Sequence, residues 1–157
     1  MKNILLFIIF LYSSFLIGQK RSLLVPPEAV TTSFEKQYPK TIALWSIEYG
    51  KNDEIYFEGT FTTTEKNKAF VLYDSYGTFE SLKTQILINK LPLKAQNYVK
   101  KNYPIKGKVR PVGRILAVID DKNTQTYIAE VKKDKKLYNV VFDKEGEFIK
   151  RIEINNI

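Results

Sequence analysis

Residues 27–39 read PEAVTTSFEKQYP and residues 92–104 read PLKAQNYVKKNYP. Both stretches open on proline, run the same length and close on Tyr-Pro. Further on, YDSYGTF at 73–79 is answered by FDKEGEF at 142–148. The offset between landmarks grows from 65 to 69 residues, so the second unit carries about four extra. Two landmarks in the same order at similar spacing divide the chain into two like units, residues 25–88 and residues 89–157. Whatever fold the chain adopts must accommodate one pattern laid down twice.

Each unit begins with a helix. Pro27 and Pro92 suit a first helical turn, where a missing N–H costs nothing. Val30, Phe34 and Tyr38 fall four apart on one face, as do Ala95, Val99 and Tyr103. Pro39 and Pro104 end the helices, because proline disfavours helical geometry in the residue before it. Four strands follow in each unit: Thr41–Tyr49, Glu54–Thr62, Lys68–Asp74 and Thr78–Ile88, then Lys108–Asp120, Thr124–Lys132, Lys136–Asp143 and Glu147–Ile154. Alternation assigns inner faces to Phe57, Gly59 and Phe61, to Tyr127, Ala129 and Val131, to Val71 and Tyr73, and to Phe148, Ile152 and Ile154. DSYG and DKEG have Asp first and Gly fourth, the pattern of a type I turn closed by a left-handed glycine. The expected fold class is α+β: two tandem repeats of one helix plus a four-stranded antiparallel meander, with the helices on one face. About 65 residues is marginal for an independent core, so the two sheets should join or pack.

The set of a proline-led helix ending in Tyr-Pro, a Trp in the first strand, an aromatic-rich second strand and an Asp-x-x-Gly hairpin resembles the PepSY-like family of exported proteins. That family's fold is likened to beta-lactamase-inhibitory protein. The matching residues are VPPEAVTTSFEKQYP, Trp45, FEGTF, VLYDSYG, and then LPLKAQNYVKKNYP, YIAEV and VVFDKEG. In the second unit Arg110 falls near the place of Trp45, and RPVG interrupts the first strand. The resemblance implies tandem helix-plus-sheet units and export, and it supplies no reaction and no catalytic residues.

The N-terminus points to export independently. One Lys precedes an apolar run from Ile4 to Ile17, too short to span a bilayer comfortably and suited to the core of a signal peptide. Residues 1–18 are expected to be removed by cleavage near Gly18, leaving a linker at 19–24 and a periplasmic or secreted protein; retention as an N-terminal anchor is the alternative. With no cysteine there are no disulfides, no lipid-anchored cysteine and no thiolate metal sites. Ten Tyr, ten Phe and one Trp must hold the fold through its core.

Catalytic equipment is sparse. There is no histidine, which removes the usual general base. Ser33 to Lys36 matches S-x-x-K without its companion motifs and reads better as a solvent-facing pair. Asp53–Glu54 and Asp120–Asp121 lack the spaced ligands of a calcium loop and read as polar hairpin tips. The chain is therefore read as no enzyme, with no cofactor and no metal.

Charge is uneven. Residues 25–88 carry a net −3 and residues 90–157 a net +8. Lys94, Lys100, Lys101, Lys106, Lys108, Arg110 and Arg114 cluster on the second helix and the segment after it. Such a patch attracts anionic partners at low salt, while also serving solubility. Nucleic acid is excluded as a partner by export. The first expectation is a monomeric binding or inhibitor-like protein that recognises a protein partner through the sheet face no helix covers. On that face belong Glu58, Thr60, Phe70, Leu72, Ile128, Glu130, Val141 and Arg151, with Trp45 either there or in the core. Lys94, Lys100, Lys101, Lys108, Arg110 and Arg114 would steer encounter. The alternative is an envelope-associated protein that binds an anionic lipid or glycan surface through the basic second unit.

Overall fold

The structure is a computed structural model that describes residues 24–50, 52–104 and 112–154. The leader and its cleavage site near Gly18 lie outside the described residues, as do Lys106, Lys108 and Arg110. The order of elements is α1 (Glu28–Gln37), β1 (Leu44–Tyr49), β2 (Ile55–Thr62), β3 (Lys68–Asp74) and β4 (Phe79–Ile86). A 3₁₀ turn (Ile88–Lys90) leads to α2 (Leu93–Asn102), β5 (Val112–Asp120), β6 (Gln125–Lys133), β7 (Lys136–Phe142) and β8 (Phe148–Ile154).

Both helices are bounded by their prolines. Pro27 and Pro92 precede the first helical residue with φ −53° and −54°, values the ring imposes. At the other end Tyr38 and Tyr103 leave helical geometry at φ/ψ −128°/67° and −132°/61°, as residues before proline must. Their N–H groups still close the last turns on Phe34 and Val99, at 2.7 and 2.8 Å.

The eight strands form one antiparallel sheet in sequence order. The seam between the halves is a full ladder, from Ser81 opposite Asp120 to Ile86 opposite Ile115. One continuous sheet is thus observed where two sheets, joined or packed, were expected from the sequence. Both helices lie on the same side. α1 sets Val30 and Phe34 on Phe57, Phe61, Val71 and Tyr73, while α2 sets Ala95 and Val99 on Ala129, Val131, Val140 and Phe142. Ile86, on β4, packs into the second of these clusters, so the second core borrows a side chain from the first half. Tyr73 buries its ring under α1 and donates its hydroxyl to Gln37 Oε1 at 2.8 Å. Burial pushes its phenol pKa well up.

Asp74 and Asp143 organise the turns after β3 and β7. Asp74 Oδ1 accepts from the N–H groups of Tyr76 and Thr78 at 2.9 and 2.8 Å. Asp143 Oδ1 accepts from Glu145 and Glu147 at 3.0 and 2.8 Å. Gly77 and Gly146 complete these turns at φ 81° and 84°, a region that favours glycine.

Several expectations about faces need correction. Trp45 lies on the helix side, edge-on to Phe34 with ring centroids 5.3 Å apart, and not on the open face. Directly opposite it on β2 is Gly59, whose missing side chain leaves room for the indole. The residue that faces Ala129 in the same manner is Ile115, where pairing resumes directly after a bulge in β5, rather than a residue near Arg110. Arg151 was expected on the open face and stands on the helix side, 4.6 Å from the Tyr138 ring centroid. Ile152, expected to point inward, is opposite Asn139 and exposed, and Ile154 shares its side. The cause is a bulge: Phe142 pairs with Phe148 but Val141 pairs with Lys150, so Ile149 is an extra residue. One inserted residue sends every later side chain to the other face.

Candidate binding face

Alternation from the helix-facing residues puts a second set of side chains on the side without helices. Leu116, Ile128 and Val141 stand directly opposite one another across β5, β6 and β7, a short apolar row that Lys150 ends on β8. On the first half, Leu72 lies between Glu58 and Ser81, and Phe70 lies between Thr60 and Lys83. These two patches meet across the seam, where Lys83 pairs with Val118.

Two ion pairs lie among them. Lys83 reaches Glu58 at 3.3 Å. Arg114 grips Glu130 with two bonds, Nε to Oε2 at 2.9 Å and Nη2 to Oε1 at 2.6 Å. That hydrogen bonding holds the guanidinium pKa above its usual value. Arg114 also approaches the Phe70 ring, 5.8 Å from its centroid, and Lys68 stands at 5.1 Å. Cations over an aromatic face are attracted to its negative quadrupole. Under them Phe70 is only 8% exposed.

The sequence-based set is therefore divided. Phe70, Leu72, Ile128 and Val141 are brought to one face, as are Glu58, Thr60 and Glu130. Phe70 and Val141 are buried and form its floor, which corrects their expected role as protruding anchors. Leu72 and Ile128 are half-buried and reachable. Trp45 and Arg151 belong to the other side. The steering residues are dispersed as well. Lys94 bonds to Glu147, Lys100 and Lys101 occupy the last turn of α2 on the helix side, and Arg114 sits on the open face engaged by Glu130. Sequence reasoning missed Leu116, Val118, Lys68 and Lys83. Strand alternation held the signal for Leu116 and Val118, but the RPVG interruption hid the phase of β5.

Two shallow hollows flank the β1 edge, one lined by Thr31, Phe34, Glu35 and Trp45, the other by Leu44, Thr60, Phe61 and Lys68. Among the described residues no group of three or more Asp and Glu side chains converges as a metal site, and no helix is long and apolar enough to cross a membrane.

No family model and no curated protein matches the chain. Solved structures do. A DUF2874 family protein from Bacteroides ovatus is 19% identical with a TM-score of 0.63, over 83% of this chain and 89% of its own. A candidate periplasmic protein from Bacteroides eggerthii is 17% identical with a TM-score of 0.67, over 83% and 91%. A BLIP-like protein from Bacteroides fragilis is 17% identical with a TM-score of 0.63, over 86% and 91%. At these identities the likeness is one of fold: an α+β chain with a broad antiparallel sheet of the BLIP-like kind.

Proposed function

We propose that this chain is an exported, non-catalytic binding protein, inhibitor-like in manner, that takes a protein partner on the open face of its sheet. The observation that carries the reading is the composition of that face. Its apolar residues lie on β3 and on β5–β7, either side of Lys83 in β4, and two of the charged pairs among them, Lys83–Glu58 and Arg114–Glu130, are already formed. A partner that settles there need not strip water from many unpaired ions, the step that usually makes polar surfaces costly to bury. The BLIP-like and periplasmic descriptions of the structural neighbours favour the same reading, as does the apolar N-terminal run. We further take the two halves to be copies of one PepSY-like unit. Each has a proline-led helix, a Tyr-Pro stop, four strands and an Asp-x-x-Gly turn, and Ile115 stands to Ala129 as Trp45 stands to Gly59.

Affinity capture from an extracytoplasmic extract, at low and at high salt, tests the function. Leu72→Asp places a carboxylate directly opposite Glu58 and should abolish capture, a loss of about 2 kcal/mol or more if Leu72 is a central anchor. Circular dichroism should show the fold retained, and Ile128→Asp should act the same way. Lys100→Glu with Lys101→Glu should slow association and weaken its salt dependence without abolishing capture. Should the charge reversal abolish capture while Leu72→Asp and Ile128→Asp do nothing, an anionic lipid or glycan surface bound by the basic second half replaces this reading.

A further inference from the structure

We propose that β1 is an assembly edge, and that its occupant is β1 of a second copy of this chain, joined antiparallel about a two-fold axis at Ile47. Among the described residues β1 and β8 are the outer strands of the sheet, each with one unpaired edge, and such edges offer unpaired N–H and C=O groups to any extended chain. The two are defended differently. β8 carries Lys150, Arg151 and Glu153 within seven residues, whereas β1, Leu44-Trp45-Ser46-Ile47-Glu48-Tyr49, carries one charge.

What selects a second copy is the self-complementarity of β1. In an antiparallel pair, directly opposed residues share a face, so a two-fold axis must pass through a residue position. With the axis at Ile47, the helix side reads Trp45 opposite Tyr49 of the partner subunit, Ile47 opposite Ile47 of the partner subunit, and Tyr49 opposite Trp45 of the partner subunit. All three pairs are apolar. On the open side Glu48 meets Ser46 of the partner subunit, so the sole carboxylate of the strand faces a hydroxyl and no like charge. Aromatic and β-branched cross-strand pairs of this kind are the stabilising ones.

The helix side supplies a second observation. α1 covers Trp45 and Phe61 but leaves Ile47, Tyr49 and Ile55 outside, at 37%, 73% and 46% exposed. Ile55 stands directly opposite Tyr49, and Phe57 opposite Ile47. This apolar corner continues the buried row of the first core past the end of the helix, up to the free edge. A second β1 would extend that row across the axis, join the two sheets into one continuous surface and lengthen the open face.

The absence of cysteine gives a clean test. In the assembled pair the two Ile47 positions lie about 4.5–5.5 Å apart at Cα, within reach of a disulfide, whereas the two Ser46 positions are diagonal neighbours about 7–8 Å apart. In natively processed protein, Ile47→Cys should convert to a disulfide-linked dimer under mild oxidation while Ser46→Cys remains largely monomeric. The unsubstituted protein should sediment as a dimer, and Ile47→Lys, which opposes two like charges across the axis, should sediment as a monomer with an unchanged circular dichroism spectrum. A monomeric unsubstituted protein at the concentrations used for crosslinking would overturn the proposal. So would equal crosslinking at Ile47→Cys and Ser46→Cys.

Discussion

A fragment of residues 90–157 is expected to show no cooperative thermal transition, although it contains one helix and four strands. Cutting the chain before Lys90 removes β4, which pairs with β5 from Ile86–Ile115 to Ser81–Asp120. It also removes Ile86 from the cluster around Phe142. The fragment would expose a central strand as an edge while its core falls to fewer than 70 residues of chain, where burial barely offsets conformational entropy. Circular dichroism on heating is the measurement. A broad, non-cooperative change or aggregation is expected, and a sharp transition would show that the second half folds alone.

The second large effect concerns the paired glycines. Gly77→Ala and Gly146→Ala should each cost about 3 kcal/mol, which lowers the melting temperature by roughly 10 °C for a domain of this size. Two penalties combine. A non-glycine residue at φ 81° or 84° costs about 1–2 kcal/mol. The added Cβ also has nowhere to go. At Gly77 it would lie against the Ala29 carbonyl and 2.9 Å from Ser33 Oγ, in the first turns of α1. At Gly146 it would stand 2.7 Å from Pro92 Cβ and 2.9 Å from the Ala95 nitrogen in α2. Forcing a helix off its sheet costs a further 1–3 kcal/mol or so. Gly113→Ala is the control, since its nearest neighbour, the Glu130 carbonyl oxygen, would be 3.6 Å away and its φ is not left-handed. Calorimetry should show the control within about 1 kcal/mol of the unsubstituted protein.

The turn glycines also show what the sequence could and could not disclose. Asp first and Gly fourth in DSYG and DKEG announce the turn. Nothing local announces that each turn rests on the helix that opens its own half, which is why its glycine is doubly constrained. Helix ends were legible because proline acts on its immediate neighbour: the spacing Pro27 to Tyr38 predicts a helix, and Glu28–Gln37 is the helix observed. Strand positions were legible to within a few residues because alternation and polar tips are local signals. Lys68–Asp74 is reproduced as read, and Thr41–Tyr49 shortens to Leu44–Tyr49.

Side-chain direction was less legible. A bulge adds one residue without changing the hydrophobic character of the run, so FIKRIEI reads inward at Phe148 and then at the wrong positions. Arg151 accordingly moves to the helix side, where it lies over the Tyr138 ring, and the influence of Tyr103 raises its pKa. Trp45 was ambiguous for a different reason. Its strand lies at the sheet edge, where either face can be apolar, and only the position of Phe34 decides between them. Leu72 and Ile128 needed no such information, because β2 beside Leu72 and β6 around Ile128 alternate without interruption.

The central claim is that the open face, and not the helix side, meets the partner. Site-specific photocrosslinking addresses it most directly. A photoreactive phenylalanine analogue is placed in turn at Leu72 and Ile128 on the open face, and at Glu35 and Lys101 on the helices, and each protein is irradiated with its captured partner. Covalent adducts at Leu72 and Ile128, with none at Glu35 or Lys101, are the predicted result. Adducts at Lys101 without any at Leu72 or Ile128 would contradict it.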